Sequence, residues 1–143
     1  MDVLIEGYAS MFGVEDLAGD VVRAGVFARS LARSDMPPML LQHLGGRVAG
    51  SWTRLREDGR GLFVRGLVSD ATLAGRTALK LIAEEGLSGL SIGFIARDWS
   101  PRVGRGRELR EIELREVSLV SAPMLPAARF AALTAVGGVR MAA

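Results

Sequence analysis

The chain has 143 residues, and 49% of them are hydrophobic, which is enough apolar sequence for a single domain with a packed core. Its 18 basic and 16 acidic residues give a net charge of +2, and most arginines are scattered among acids, which argues against a nucleic-acid-binding surface. The absence of cysteine excludes disulfides, cysteine-ligated zinc and a cysteine nucleophile. No apolar run approaches the ~20 residues of a membrane span, and the N-terminus carries acids where a signal peptide carries bases. We therefore expect a soluble intracellular protein.

The hydrophobic patterning predicts a mainly β protein with few helices. Segments rich in Val, Ile, Leu and aromatic residues predict strands, helical spacing of apolar residues predicts helices, and glycine and proline mark the turns. In chain order, strands are predicted at residues 2–13, 39–43, 48–56, 61–68, 90–99 and 108–121, and helices at residues 24–32, 71–85 and 127–133. Hairpins and short loops join most strands. We therefore predict an α+β, mainly β fold: an antiparallel sheet or β-barrel flanked by a few helices.

The domain organisation is expected to be simple. Residues 1–135 are predicted to form one domain, because no linker interrupts them. Residues 136–143 show no packing pattern and are predicted to form a loose C-terminal tail. Residues 100–106 are polar and glycine-rich, which predicts a mobile loop. The only cluster of basic residues lies in and after this loop: Arg102, Arg105, Arg107 and Arg110.

His43 is the only histidine of the chain, and it lies between a short apolar strand and two glycines. This position predicts an imidazole at the end of a sheet, where a cleft can form. With an ordinary pKa of about 6.5, an imidazole suits general base catalysis near neutral pH. A lone histidine is also commonly structural or simply exposed, so this alternative stays open. If the protein is a hydrolase with an activated nucleophile, a serine must be the nucleophile and His43 the base.

Ser91 is the serine whose surroundings best fit a nucleophile. It lies in an apolar strand, with Gly89 and Gly93 two residues away on either side. We expect the glycines to let a substrate backbone approach and the apolar neighbours to exclude water. The alternative is a strand serine that bonds a neighbouring carbonyl. The Gly-x-Ser-x-Gly spacing also occurs in α/β-hydrolases, but the βαβ context of that fold is missing here.

Glu116 is the candidate acid. Strand alternation places it on the same face as the apolar residues Ile112 and Leu114. A carboxylate on an apolar face is unfavourable unless it is paired, and a histidine N–H is a suitable partner. Pairing with an arginine, or a bulge that swaps the two faces of the strand, would explain the pattern as well. The order His43, Ser91, Glu116 is compatible with a triad, because triads are defined by geometry and not by chain order.

Several short segments, spread over the chain from about Ile5 to Arg129, form a specific set, although none of them is specific alone. They are Glu6–Gly13, Gly19–Val22, Gly25–Phe27, Gln42-His43, Gly50–Trp52, Glu57-Asp58, Gly61–Val64, Gly89–Phe94, Glu116–Val120, Pro123 and Pro126–Arg129. In this order and spacing they resemble the prohead maturation proteases of tailed phages and of phage-derived gene transfer agents. One departure is Leu44, which stands where this family usually has aspartate after the histidine.

The resemblance implies a fold similar to herpesvirus assemblin, an antiparallel β-barrel wrapped by helices. It also implies the roles of the site residues: Ser91 as nucleophile, His43 as general base and then acid, and Glu116 orienting His43. The oxyanion is expected to be bound by backbone amides between Ala122 and Arg129, with Arg129 supporting the site. No cofactor or metal is expected.

The biological role implied by the resemblance is capsid maturation. Such a serine endopeptidase is packaged in the immature capsid, in the cytoplasm of the bacterial host. There it cleaves scaffold, or the N-terminal scaffolding segment of the major capsid protein, and in many cases itself. Its expected partners are therefore the major capsid protein and the scaffold protein, with a homodimer suggested by the dimeric herpesvirus enzymes. No membrane and no specific nucleic acid are expected as partners.

Two other classes of function are considered. The first is a catalytically silent capsid-assembly module of the same fold; the presence of His43, Ser91 and Glu116 favours the enzyme over it. The second is a small β-barrel that binds nucleic acid, which requires exposed aromatic residues beside basic ones. Only Trp99, near Arg97 and Arg102, fits that requirement.

Overall fold

A computed structural model describes residues 1–33, 35–136 and 139–142, and within these ranges the chain is mainly β with few helices, as predicted. The strands are β1 (Val3–Met11), β2 (Val21–Val22), β3 (Met39–Leu41), β4 (Val48–Glu57), β5 (Gly61–Val68), β6 (Gly89–Pro101), β7 (Arg107–Val120), β8 (Phe130–Val136) and β9 (Val139–Ala142). The helices are α1 (Ala28–Leu31) and α2 (Leu73–Ala83). No helix in these ranges is long and apolar enough to cross a membrane.

Strand β7 organises the sheet. Strand β6 pairs with it antiparallel along its whole length, whereas β2 and β3 pair with its other edge in parallel, near its two ends. Beyond β3 the sheet continues in the order β4, β5, β1, β8 and β9. The expectation of a purely antiparallel sheet is therefore wrong for the two pairs that β2 and β3 make with β7. Parallel pairing is possible here because long stretches of chain separate these strands from β7.

The predicted closed barrel is not confirmed. The described strand ladders form an open sheet, with β6 attached to β7 alone. A single isolated bridge between Gly89 and Arg129 links the start of β6 to the residues before β8. Two hydrogen bonds flank the bridge, from Leu90 N–H to the Ala128 carbonyl and from Phe130 N–H to the Ser88 carbonyl, both 2.9 Å long. These contacts bring the two ends of the sheet together without forming a ladder.

The C-terminal segment differs from its prediction. The helix predicted at residues 127–133 is wrong, because this segment passes into β8, which pairs antiparallel with β1. Ala128, Phe130 and Ala132 are buried on alternate positions, so the edge of β1 overrides the helix propensity of alanine. Of the predicted loose tail, residues 137, 138 and 143 lie outside the described residues, and Val139–Ala142 form β9 against β8. The boundary between domain and tail stays a prediction.

The glycine-rich segment predicted to be a mobile loop is the tip of the β6–β7 hairpin, and arginines anchor it to the loop at residues 14–20. Arg102 donates to the Glu15 carboxylate (3.0 Å) and to the Gly19 carbonyl. Arg105 donates to the Leu17 carbonyl at 2.6 Å. Arg107 donates to the buried Asp20 through its backbone N–H (2.8 Å) and its guanidinium (2.7 Å). The hydrogen bonds to Asp20 raise the pKa of Arg107 above its ordinary value. The basic cluster seen in the sequence thus stabilises the fold by joining the hairpin tip to the loop at residues 14–20.

Replacement of Asp20 by alanine is expected to lower the free energy of unfolding by about 2–3 kcal/mol, because it leaves the backbone and guanidinium donors of Arg107 without their acceptor. Urea unfolding followed by tryptophan fluorescence measures this change. The matched control is Arg23→Ala, which breaks an exposed ion pair to Glu108 (3.1 Å) and is expected to lower stability by less than about 1 kcal/mol. Equal losses in the two variants would contradict a special role for Asp20.

Candidate active site

The β6–β7 ladder brings Ser91 and Glu116 to neighbouring positions. Ser91 pairs with Ser118, and Gly93 pairs with Glu116. Residues two apart on a strand share a face, and directly opposed residues have Cβ atoms about 4.5–5.5 Å apart. Ser91, Ser118 and Glu116 therefore lie side by side on one face of the hairpin.

A bulge at Arg115 determines which way Glu116 points. The register shifts within β7, because Gly93 pairs with Glu116 while the next residue, Phe94, pairs with Leu114. Before the bulge Leu114 packs in the core, and after it Val117 does. Glu116 therefore lies on the face opposite to Leu114 and not, as strand alternation predicts, on the same one. The swap of faces at a bulge, one of the alternatives left open by the sequence, is the correct description of this strand.

His43 reaches Glu116 through an unusual turn. Strand β3 ends at Leu41, and the next two residues, Gln42 and His43, both adopt left-handed backbone conformations with φ of 55° and 62°. Such values are uncommon for residues other than glycine and require support from their surroundings. Gln42 supplies it: its backbone N–H bonds the Leu119 carbonyl (2.9 Å), and its side-chain amide bonds the side chain and backbone of Ser121 (3.1 and 3.2 Å). The turn directs His43 Nδ1 onto Glu116 Oε1, with which it makes a hydrogen bond.

The Glu116 carboxylate is held from three sides. It bonds His43, it accepts a hydrogen bond from the Ser118 hydroxyl (2.9 Å), and it lies over Gly93. A Cβ at position 93 would be 2.4 Å from Glu116 Cγ, so only glycine leaves room for the carboxylate. At position 89 a Cβ would be 2.7 Å from the Pro123 ring. The two glycines around Ser91 thus accommodate neighbouring protein groups, whereas the sequence suggested room for a substrate backbone.

Burial distinguishes the two serines on this face. Ser118 is 0% exposed, and its hydroxyl is bonded to Glu116. Ser91 is 7% exposed, it lines a small hollow at the surface, and its hydroxyl makes no hydrogen bond within the part of the chain that the structure describes. A nucleophile must meet the substrate, so Ser91 is the better placed of the two.

The arrangement fits general base catalysis. Because Nδ1 of His43 faces the carboxylate, a neutral imidazole there carries its proton on Nδ1 and has its lone pair on Nε2. That nitrogen is the one able to accept a proton from a serine hydroxyl. Among the described residues, His43 makes no hydrogen bond to Ser91. In active sites without substrate, the distance between the base and the nucleophile is often longer than in the complex with substrate.

Arg129 lies apart from this cluster. Its Nε donates to the Pro126 carbonyl (2.9 Å), and one guanidinium nitrogen donates to the Ser88 hydroxyl (3.1 Å). Arg129 therefore ties the loop before β8 to the residues that enter β6, three positions before Ser91. An oxyanion role for it or for the nearby backbone amides stays a prediction. Among the described residues, no group of three or more His, Asp or Glu side chains is arranged to hold a metal ion.

Ser118 and Gln42 are site residues that the sequence reasoning did not identify. Gln42 has a visible signal, since it precedes the only histidine within a motif shared with the family that the sequence resembles. Ser118 lies two residues after Glu116, a position that in a regular strand shares its face. Neither role was predicted, because both depend on the turn after β3 and on the pairing of β7.

Replacement of Ser118 by alanine is expected to slow the reaction of Ser91 about tenfold, because Glu116 loses a hydrogen bond that holds it in place. The rate of covalent labelling of Ser91 by a small fluorophosphonate measures this effect. The control is Ser51→Ala, which removes an exposed hydroxyl from β4 and should not change the rate. An unchanged rate in Ser118→Ala would show that His43 alone positions Glu116.

Comparison with known proteins connects this site to a family. The family model of the caudovirus prohead serine proteases matches residues 1–138. The prohead protease of Enterobacteria phage HK97 is 34% identical over 141 residues. That match covers 95% of this chain but 62% of the HK97 protein, so the chain spans less than two thirds of this relative's length.

Solved structures resemble the fold at low sequence identity. The protease of Kaposi's sarcoma-associated herpesvirus, KSHV, matches with a TM-score of 0.64 and 15% identity, over 92% of this chain and 65% of that protein. The bacteriophage T4 capsid assembly protease matches with a TM-score of 0.65 and 13% identity, over 82% of this chain and 80% of that protein. The fold is thus similar to that of the herpesvirus proteases, as the family resemblance implied. Together with the match to the family model, which spans nearly the whole described chain, this places the protein in the caudovirus prohead serine protease family.

Proposed function

We propose that this protein is a serine endopeptidase of capsid maturation, in a tailed phage or a gene transfer agent, with His43, Ser91 and Glu116 as its catalytic triad. One observation carries the proposal: His43, the only histidine, hydrogen-bonds Glu116. Glu116 lies on β7, and β7 pairs with β6, the strand that carries Ser91. Membership of the prohead protease family and the names of the HK97 and T4 proteins support the biological role.

In the proposed reaction the Ser91 hydroxyl attacks the scissile carbonyl while His43 Nε2 takes its proton. Glu116 holds the imidazole in the tautomer with the proton on Nδ1 and stabilises the imidazolium that forms. His43 then gives its proton to the leaving amine, and an acyl-enzyme remains on Ser91. Water, activated by the same imidazole, hydrolyses this ester and restores the site. Backbone amides between Ala122 and Arg129 are proposed to bind the oxyanion, with Arg129 holding their loop.

The proposed substrates are the scaffold protein or the N-terminal scaffolding segment of the major capsid protein, and the protease itself. These proteins are also its proposed partners, and the reaction is placed inside the immature capsid in the bacterial cytoplasm. A homodimer belongs to the same proposal. Sedimentation of the purified chain tests it, and a strict monomer with full specific activity would overturn the dimer but not the protease.

The proposal is tested by treating the folded protein with a fluorophosphonate and reading its mass. One adduct is expected, and peptide mapping should place it on Ser91. His43→Ala should lose the labelling, as should protein unfolded before treatment. An adduct on another serine would overturn the assignment of the nucleophile. A folded protein that takes up no probe, yet binds its capsid protein, would favour the catalytically silent assembly module.

A further inference from the structure

A small apolar hollow opens beside Ser91. Its volume is about 50 Å³, and it lies between the β6–β7 hairpin, the end of β1 and the loop at residues 14–20. Apolar side chains from several elements line it, among them Met11, Val22, Phe94, Leu109 and Leu125. Because Ser91 is one of the residues that line it, the hollow lies within reach of a side chain next to a carbonyl that Ser91 attacks.

The two acidic residues in the wall of the hollow are engaged by the protein itself. Asp16 accepts hydrogen bonds from the backbone N–H groups of Ala18 (2.8 Å) and Asp20 (3.0 Å). Asp20 in turn accepts from the backbone and guanidinium of Arg107. One oxygen of Asp16 and both oxygens of Asp20 are thus engaged within the protein, and most of the other residues that line the hollow are apolar.

The mouth of the hollow is apolar as well. Val14 and Met124, which both line it, are 41% and 48% exposed. A hydrogen bond from Leu17 N–H to the Met124 carbonyl (2.9 Å) joins the two loops that carry these residues, and Leu17 is itself exposed. Exposed apolar side chains that cluster around one opening are typical of a surface that contacts another chain.

The wall formed by residues 14–20 is fixed in place before any substrate arrives. Three arginines of the hairpin tip donate hydrogen bonds to this wall. Arg102 bonds Glu15 and the Gly19 carbonyl, Arg105 bonds the Leu17 carbonyl, and Arg107 bonds Asp20. Gly106 packs so closely on Gly19 that a Cβ there would be 2.0 Å from the Gly19 carbonyl oxygen. The hollow therefore has a defined size, which is what a specificity pocket requires.

We infer that this hollow is a substrate pocket that selects an aliphatic side chain next to the scissile bond. A hollow of about 50 Å³ with a mainly apolar lining suits a small aliphatic side chain such as that of Val, Leu or Ile. An acidic side chain would be desolvated there beside the carboxylates of Asp16 and Asp20. The inference rests on the proposed function, since it assumes that Ser91 attacks a polypeptide.

The test is cleavage of a diverse peptide library by the purified full chain, read by mass spectrometry. One position close to the cleaved bond should favour Val, Leu or Ile over Ala and Asp by about tenfold or more in kcat/KM. Met11→Ala, which enlarges the hollow, should shift that preference toward Met or Phe. Val14→Trp, at the exposed mouth, should narrow the preference toward Ala, and Leu73→Trp, on the exposed start of α2, should leave it unchanged.

Failure of this inference is distinguishable from failure of the proposed function. If the fluorophosphonate labels Ser91 and peptides are cut, but no flanking position favours aliphatic residues, the pocket is wrong and the protease stands. The same conclusion follows if Met11→Ala and Val14→Trp both cleave with the wild-type preference. If Ser91 takes up no probe and no peptide is cut, the proposed function itself is wrong.

Discussion

Co-expression with the major capsid protein of its own capsid is expected to show trimming at one site by the wild-type chain and none by Ser91→Ala. Loss of the nucleophile removes the acyl-enzyme route, and in serine proteases such a loss lowers kcat by roughly 10⁴-fold or more. Ser91 is small and lies next to a hollow, so alanine there removes one hydroxyl without disturbing the core. Intact mass spectrometry of both proteins measures the outcome.

The matched control for Ser91→Ala is Ser118→Ala, which removes the hydroxyl directly opposite on β7. It should slow trimming about tenfold but not abolish it, because the Ser118 hydroxyl donates its hydrogen bond to the acid of the proposed triad and not to the base. Trimming that persists in Ser91→Ala and disappears in Ser118→Ala would exchange the roles of the two serines. An untrimmed capsid protein that co-purifies with both wild type and variant would indicate a binding module.

Replacement of Gly93 by alanine is expected to lower kcat by about 100-fold or more and to lower the free energy of unfolding by about 1–3 kcal/mol. The new methyl group would overlap Glu116 Cγ at 2.4 Å. The side chain of Glu116 can rotate away, so the fold survives, but its hydrogen bonds to His43 and Ser118 are lost. The carboxylate then leaves His43, and the imidazole loses the group that orients it.

Two measurements on Gly93→Ala decide this prediction: the rate of Ser91 labelling and the urea unfolding midpoint. Gly59→Ala is the control, because a Cβ at position 59 meets nothing within 4 Å, and it should be neutral in both measurements. A Gly93→Ala chain that reacts at the wild-type rate would mean that Glu116 does not need its observed position. A chain that fails to fold would mean that the crowding extends beyond the Glu116 side chain.

Much of the fold follows from local patterns in the sequence. The hairpin of β4 and β5 and the long strands β6 and β7 were predicted because period-two patterns and turn residues are local signals. Helix α2 was predicted from its apolar spacing, and its first turn is capped by Thr72, whose hydroxyl accepts from Gly75 N–H (2.9 Å). The short strand β2 was missed, since two residues are too few to show an alternating hydrophobic pattern.

The contact between His43 and Glu116 was predicted, but the geometry that produces it was not. The sequence indicated that Glu116 needs a partner and that His43 is a candidate, and the structure brings these two side chains together. The reason given was wrong, because strand alternation places Glu116 on the apolar face and the bulge at Arg115 moves it to the other. Bulges, and the left-handed turn at Gln42, arise from pairings between distant segments, which a local pattern does not encode.

The pairing around β7 also fixes the order in which the site can assemble during folding. Ser91 and Glu116 belong to one hairpin, a contact that closes quickly because little chain separates its strands. His43 arrives only through the parallel pairing of β3 with β7, and it is 73 residues away from Glu116. Such long-range pairing closes late. With His43 as the proposed base, a partly folded chain holds the serine and the carboxylate without it, so the proposed activity requires the complete domain.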